Sequence, residues 1–280
     1  MKKINFKKLG RKPRRRITKI PLRAMLPNMV TLLAASSGIT SIQYSSQGEW
    51  KHAIFAIFIA SVLDGLDGRM ARMLNASSRL GAELDSLSDF VSFGVAPALF
   101  TYFWIMEPLE ATSVAMRFKG IFWALALFYA MCGAFRLARF NIMLEDESRA
   151  SYWKHFFAGL PSPGAAGLVL TPAIWQIYTG YDGIQNPVVG CVMLVLMGIL
   201  MACPFPTFSA KSIHIKVKYM PPFLLVVMFT IGMLISQFWL TLGVLGVVYF
   251  SLIPICLVAF WRMKKRAQET GIRSQAAGVS

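Results

Sequence analysis

This sequence predicts an all-α polytopic membrane protein of about eight transmembrane helices. Composition is the first reason, since 56% of the 280 residues are hydrophobic and only 15% are charged, where a soluble domain carries about 25% charged residues. Run length is the second. Apolar stretches about 20 residues long recur from Asn28 almost to the C-terminus, enough to span a hydrocarbon core about 30 Å thick. The third is a missing period of two: the runs lack the alternation of barrel strands, and only helices or closed barrels satisfy their own backbone groups inside lipid. An ordinary water-soluble globule is excluded.

The chain opens with a basic tail. Met1 to Arg23 holds eleven Lys or Arg and no acid, within a chain of formal net charge +16. Residues 1–24 are therefore expected on the cytoplasmic side against anionic lipids. There Pro13 to Arg23 either starts a short interfacial helix or stays a disordered basic tail. Such charge also suits nucleic acid, but no stacking aromatics interleave with the cations, so no nucleic-acid partner is expected. No cleavable signal peptide is expected either, because the first apolar run comes after this long tail and shows no small-residue cleavage site.

Residues 25–262 form the expected transmembrane domain. Its spans are Asn28 to Ser45, His52 to Leu74, Asp85 to Met106, Gly120 to Phe140, Pro163 to Tyr178, Pro187 to Cys203, Met220 to Phe238 and Leu240 to Trp261, the last two forming a tight helical hairpin. An even count puts both termini on one side. On that side fall 26 of the 29 basic residues, while only Lys51, Arg117 and Lys119 lie opposite, beside Glu49, Glu107, Glu110 and Asp182. The positive-inside rule then makes both termini cytoplasmic and the protein an integral component of the cell (inner) membrane. Lys264, Lys265 and Arg266 anchor the last span, and residues 263–280 read as a cytoplasmic tail. Cys132, Cys191, Cys203 and Cys256 lie in or beside apolar helices without CxxC spacing, and are expected to be buried thiols.

Acidic side chains within spans cost several kcal/mol each to insert and mark function. Here Asp64 and Asp67 are i,i+3 on the second span, and Asp85 and Asp89 are i,i+4 on the third, so each pair shares a helix face. A short link makes the two helices antiparallel neighbours and lets four carboxylates converge near the cytoplasmic surface. Such groups repel unless protonated or bridged by cations, and a hard-oxygen cage without His or Cys suits Mg²⁺, Mn²⁺ or Ca²⁺. Such ions clamp phosphate oxygens, and Arg72 offers a bidentate donor fork to the same anion. Gly68 and Gly81 remove side chains where a ligand or a second helix comes close. Two other readings compete: a structural ion network with Arg69, Arg72 and Arg79, or a cation pathway through a metal-ion transporter. No acids lie deep in the other spans to continue such a pathway.

The pattern D-x-x-D-G-x-x-A-R-x8-G-x3-D-x3-D, complete from Asp64 to Asp89, resembles the signature of the CDP-alcohol phosphotransferase family. Leu26-Pro27-Asn28 with Thr31, the run Phe135 to Asn141, and Gly159-Leu160-Pro161-Ser162-Pro163 resemble its phosphatidylserine synthase branch. The resemblance implies a helical bundle that transfers the phosphatidyl group of CDP-diacylglycerol to L-serine, with glycerol 3-phosphate, inositol phosphate or choline as alternative acceptors. It implies that Asp64, Asp67 and Asp85 hold one divalent cation, Mg²⁺ or Mn²⁺. Asp89 then shares a second ion and acts as general base. CDP-diacylglycerol is expected to contact Asn28, Thr31, Asp67, Gly68, Ala71, Arg72, Ser78 and Gly81. A homodimer is the family's usual assembly. Arg136, Arg139 and Asn141 are candidates for the serine carboxylate or a lipid phosphate, against a plain reading as snorkelling anchors. Lys211, Lys216, Lys218 and His214 read as a solvated basic loop.

Overall fold

A computed structural model describes residues 25–76, 78–109, 117–145, 156–203, 206–208 and 219–255. The basic tail, the loop with Lys211 to Lys218, Cys256 and the C-terminal tail lie outside them. Helix α1 is Met25–Ser46 and α2 is Trp50–Met73. A third, continuous helix covers Arg79–Met106, divided into α3 (Arg79–Asp89), a π turn (Phe90–Val95) and α4 (Ala96–Met106). Then come α5 (Lys119–Glu145), α6 (Ser162–Thr179), α7 (Pro187–Ala202), α8 (Met220–Ser236) and α9 (Phe238–Ile255).

Each expected span corresponds to a helix. The largest boundary difference is in the third, which begins at Arg79 rather than Asp85 because Ser78 caps it: its Oγ accepts the Gly81 N–H at 3.0 Å. Between α8 and α9 only Gln237 leaves the helical conformation; its N–H donates to the Met233 carbonyl and its carbonyl accepts from the Thr241 N–H. One small ladder accompanies the helices, with β1 (Phe156–Ala158) antiparallel to β2 (Pro206–Phe208).

Among the described residues four helices are long and apolar enough to cross a membrane: Met25–Ser46, Arg79–Met106, Lys119–Met143 and Phe238–Ile255. Small residues set the close packing between helices, as is usual where lipid supplies no hydrophobic drive. Ala53, Ala60, Ala96 and Ala165 are fully buried, and α9 lays Gly243 and Gly246 against Trp175 and Thr171 of α6. Large apolar side chains point outward in turn, most plainly on α8, which buries none of its residues.

With α3 and α4 taken as one rod, consecutive helices from α1 to α7 alternate in direction, so their ends gather into two layers. One layer holds the start of α1, the end of α2 and the start of α3. The other holds Trp50, Glu107 and Gln185, joined by hydrogen bonds of 2.9 and 2.8 Å to the Glu107 carboxylate.

Candidate active site

The four aspartates converge at one end of the bundle. Asp64 and Asp67 arrive on the last three turns of α2, and a short link leads from α2 into α3, which returns Asp85 and Asp89. One carboxylate oxygen from each of Asp64, Asp67 and Asp85 lies within 4.8 Å of the others. Burial is graded across the trio: Asp67 is buried, Asp64 half-buried and Asp85 exposed.

Asp67 is fastened from α1, where Thr31 Oγ1 sits 2.5 Å from its Oδ2. Ser88 of α3 in turn donates to the Thr31 carbonyl at 3.1 Å, so three helices meet around one carboxylate. Asp89 lies a turn beyond Asp85. Its carboxyl comes within hydrogen-bonding contact of Asp64 and within electrostatic reach of the Arg136 guanidinium, without an ion pair, while its Oδ1 is buried without a protein partner.

Among the described residues no lysine or arginine pairs with these acids; the ion pair present joins His52 to Glu49, at 3.1 Å. Arg69, Arg72 and Arg79 therefore do not neutralise the aspartates, and the structural-network reading has no support. Three clustered hard oxygens and an orphaned fourth group call for a proton or a cation between them, and an all-carboxylate donor set fits Mg²⁺ or Mn²⁺.

Beside the trio opens a cleft between α1, the end of α2 and the start of α3. It is lined by Asn28, Thr31, Asp67, Gly68, Ala71, Arg72, Ser78, Gly81 and Asp85, together with Pro27, Ala76 and Ala82. All eight residues expected to meet the nucleotide lipid are thus brought to one surface. The two glycines differ in what they make room for. A Cβ on Gly68 would meet nothing within 4 Å, whereas one on Gly81 would lie 2.9 Å from Asn28 Oδ1. Gly68 leaves its face of the cleft open; Gly81 lets α1 close on α3.

The three residues expected to hold the acceptor do not stay together. Arg136 turns inward, is 9% exposed, donates to Ser162 Oγ at 2.5 Å, and keeps a buried Nε without a partner. Arg139 instead donates to the Ala202 carbonyl at 2.6 Å and the Cys203 carbonyl at 3.3 Å. It closes the C-terminal end of α7, a common use of a cation. Asn141 exchanges hydrogen bonds with Ser86, its Nδ2 2.9 Å from the serine Oγ, and so ties α5 to α3. Ser86 and Ser88 are polar partners that the sequence does not single out, and Ser162 stands there only within the Gly159 to Pro163 motif, with no role assigned. Nothing local marks their partners, which lie 26 to 57 residues away. Cys132 is buried as expected and Cys191 partly so, but Cys203 is exposed, because α7 ends at Ala202 and the next residue leaves the packed bundle.

The CDP-alcohol phosphatidyltransferase family profile matches residues 24–252, which include the whole cleft and all four aspartates. The chain belongs to this family. Among the family's curated relatives, a CDP-diacylglycerol–serine O-phosphatidyltransferase of Mycobacterium leprae (strain TN) is 32% identical over 233 residues, 83% of this chain and 74% of that protein. One from Helicobacter pylori (strain J99) is 35% identical over 208 residues, 73% of this chain and 79% of that protein. Another, from Mycobacterium bovis, is 42% identical over 143 residues; that match takes in 51% of this chain and 46% of the relative, about half the length of each. A polytopic membrane enzyme of this family is therefore the frame for the site.

Proposed function

We propose that this protein transfers the phosphatidyl group of CDP-diacylglycerol to the hydroxyl of L-serine, giving phosphatidylserine and CMP at the cytoplasmic face. The observation that carries the reading is the cleft, in which the eight residues expected to touch the nucleotide lipid lie together beside Asp85. The names of the relatives favour serine as the acceptor.

In this reading Asp64, Asp67 and Asp85 hold a divalent cation, and Asp89 shares a second. Bound there, the ions neutralise the pyrophosphate and stabilise the departing CMP. The chain's own groups do the rest. Arg72 binds phosphate oxygens from the cleft wall, and the open face of Gly68 admits the nucleotide. Arg136, unpartnered at Nε and facing Asp89, binds the serine carboxylate and brings its hydroxyl to the base. Asp89 takes the hydroxyl proton on a carboxylate oxygen. The hydroxyl oxygen bonds to the lipid-linked phosphorus as the bond from that phosphorus to the CMP oxygen breaks.

The same reading takes residues 25–262 as the catalytic domain of a homodimer, with residues 1–24 lying on anionic headgroups and residues 263–280 as a cytoplasmic tail. The test is CMP release by the purified protein in detergent, with Mg²⁺ or Mn²⁺, with and without L-serine. Metal-dependent, serine-dependent release is expected. Release that depends on glycerol 3-phosphate, inositol phosphate or choline instead overturns the acceptor. Absence of any release, with Mn²⁺ uptake into proteoliposomes, overturns the enzyme.

A further inference from the structure

The helix that carries Asp85 and Asp89 is not uniform, and the irregularity starts at Asp89. From Phe90 to Val95 it widens into a π turn, closed by the Ala96 N–H reaching back five residues to the Val91 carbonyl. Such turns insert one extra residue and gather at functional sites. Here the cause is in the sequence. Pro97 has no N–H, and its ring collides with the carbonyl four residues earlier in an α-helix, which is that of Phe93. The displaced carbonyl is taken up by Tyr129 of α5, whose hydroxyl donates to it at 3.2 Å. Tyr129 is fully buried.

The turn is gripped from both sides. Ser92 Oγ donates to the Ala34 carbonyl at 3.2 Å, and a Cβ on Gly38 would lie 2.8 Å from Ser92 Cα, so α1 presses directly on it. On the other side, a Cβ on Gly133 of α5 would lie 3.5 Å from Gly94 Cα. At 3.6 residues per turn, one inserted residue rotates the C-terminal half of the helix by about 100° relative to the N-terminal half. Wound as α throughout, the helix would present Asp85 and Asp89 about a quarter turn from the face that buries Phe100, Thr101 and Trp104. The inserted residue superposes the two faces.

We infer that the π turn aims Asp89, and that Tyr129 and Pro97 are positioning residues of the transfer reaction. The inference rests on Asp89 being the general base. Tyr129 and Arg136, seven residues apart on α5, then act on the same helix from one face: the first sets its register and the second lies within electrostatic reach of the carboxylate.

Pro97→Ala separates positioning from mere stability. It restores the missing N–H and removes the steric cause of the π turn, so the segment rewinds as α. The expected result is protein that still folds, with kcat for serine-dependent CMP release reduced tenfold or more per folded molecule. Tyr129→Phe, which keeps the ring, is expected to lower kcat with KM for the lipid unchanged. A second readout is independent of chemistry. In Asp89→Cys protein, the rate of labelling by a water-soluble methanethiosulfonate, less the background of the parent cysteines, should change threefold or more when Pro97→Ala is added. Unchanged labelling, kcat within twofold in both variants, or rate losses that merely track loss of folded protein would each overturn the inference. If labelling changes but the wild-type protein shows no serine-dependent CMP release, the proposed function falls and the π-turn mechanism stands.

Discussion

The two ends of the bundle treat their carboxylates in opposite ways. At the far end, Glu107 accepts from Trp50 Nε1 at 2.9 Å and from Gln185 Nε2 at 2.8 Å. That network continues through Gln176, which accepts from Trp104 Nε1 at 2.7 Å and donates to Gln185 Oε1 at 2.7 Å. At the other end, about 21 Å away along α2 at roughly 1.5 Å per residue, Asp64, Asp67 and Asp85 cluster with no described cation paired to them. Buried polar groups in folded proteins are as a rule partnered. The far end meets its carboxylate with two protein donors and so is a clasp; at the other, Asp67 takes Thr31 Oγ1 while Asp89 Oδ1 is buried without a partner, which supports the site proposed there.

This contrast can be broken experimentally, and the largest effect should come from the acid trio. Asp64→Asn, Asp67→Asn or Asp85→Asn should each reduce turnover by about 10³ or more, the loss of several kcal/mol of transition-state stabilisation. Helical circular dichroism should stay intact. A near-normal rate in any of the three would return these acids to a structural role. Asp89→Asn should cost kcat by about 10² or more while CDP-diacylglycerol still binds, because Arg72 and the trio remain. Affinity collapse with a normal rate at saturation would make Asp89 a ligand-holding group and send the search for the base elsewhere.

Gly68→Ala should raise KM for the lipid nucleotide by about tenfold, or about 1.4 kcal/mol, at a constant or higher melting temperature. Its Cβ meets no protein atom within 4 Å, so the clash is with ligand alone; a lowered melting temperature would contradict the open face described for it. The smallest effect on catalysis belongs to the clasp. Trp50→Phe removes one donor to Glu107 and should cost about 1 kcal/mol of stability, seen as an earlier thermal transition, with kcat unchanged. A tenfold fall in kcat would show that the two ends are coupled.

Much of this was legible without coordinates because it is local. The spans come from runs of apolar residues, and their ends moved by a few residues at most of the helices. The largest move is at Ser78, where one hydroxyl starts α3 six residues before Asp85. The cleft was legible as well, since Asp64 to Asp89 form a hairpin whose geometry short-range helix periodicity dictates. Asn28, Thr31, Ala71 and Ser78 joined it through resemblance rather than spacing. What local periodicity does not decide is where the acceptor trio points. Arg136, Arg139 and Asn141 sit within two turns of one helix, yet successive residues point about 100° apart, and each met a different neighbour.

The sequence by itself determined the membrane class, the helical spans, the carboxylate hairpin and the family, all of which depend on composition or on residues a few turns apart. Tertiary structure decided which arginine faces the acids and which closes α7, that Cys203 is exposed, and that Phe93's carbonyl finds Tyr129. The physical reason is distance along the chain. A hydrogen bond spanning 36 residues, as between Tyr129 and Phe93, depends on how two helices are rotated against each other. That rotation is set jointly by every small residue packed between them, and no local window of sequence contains it.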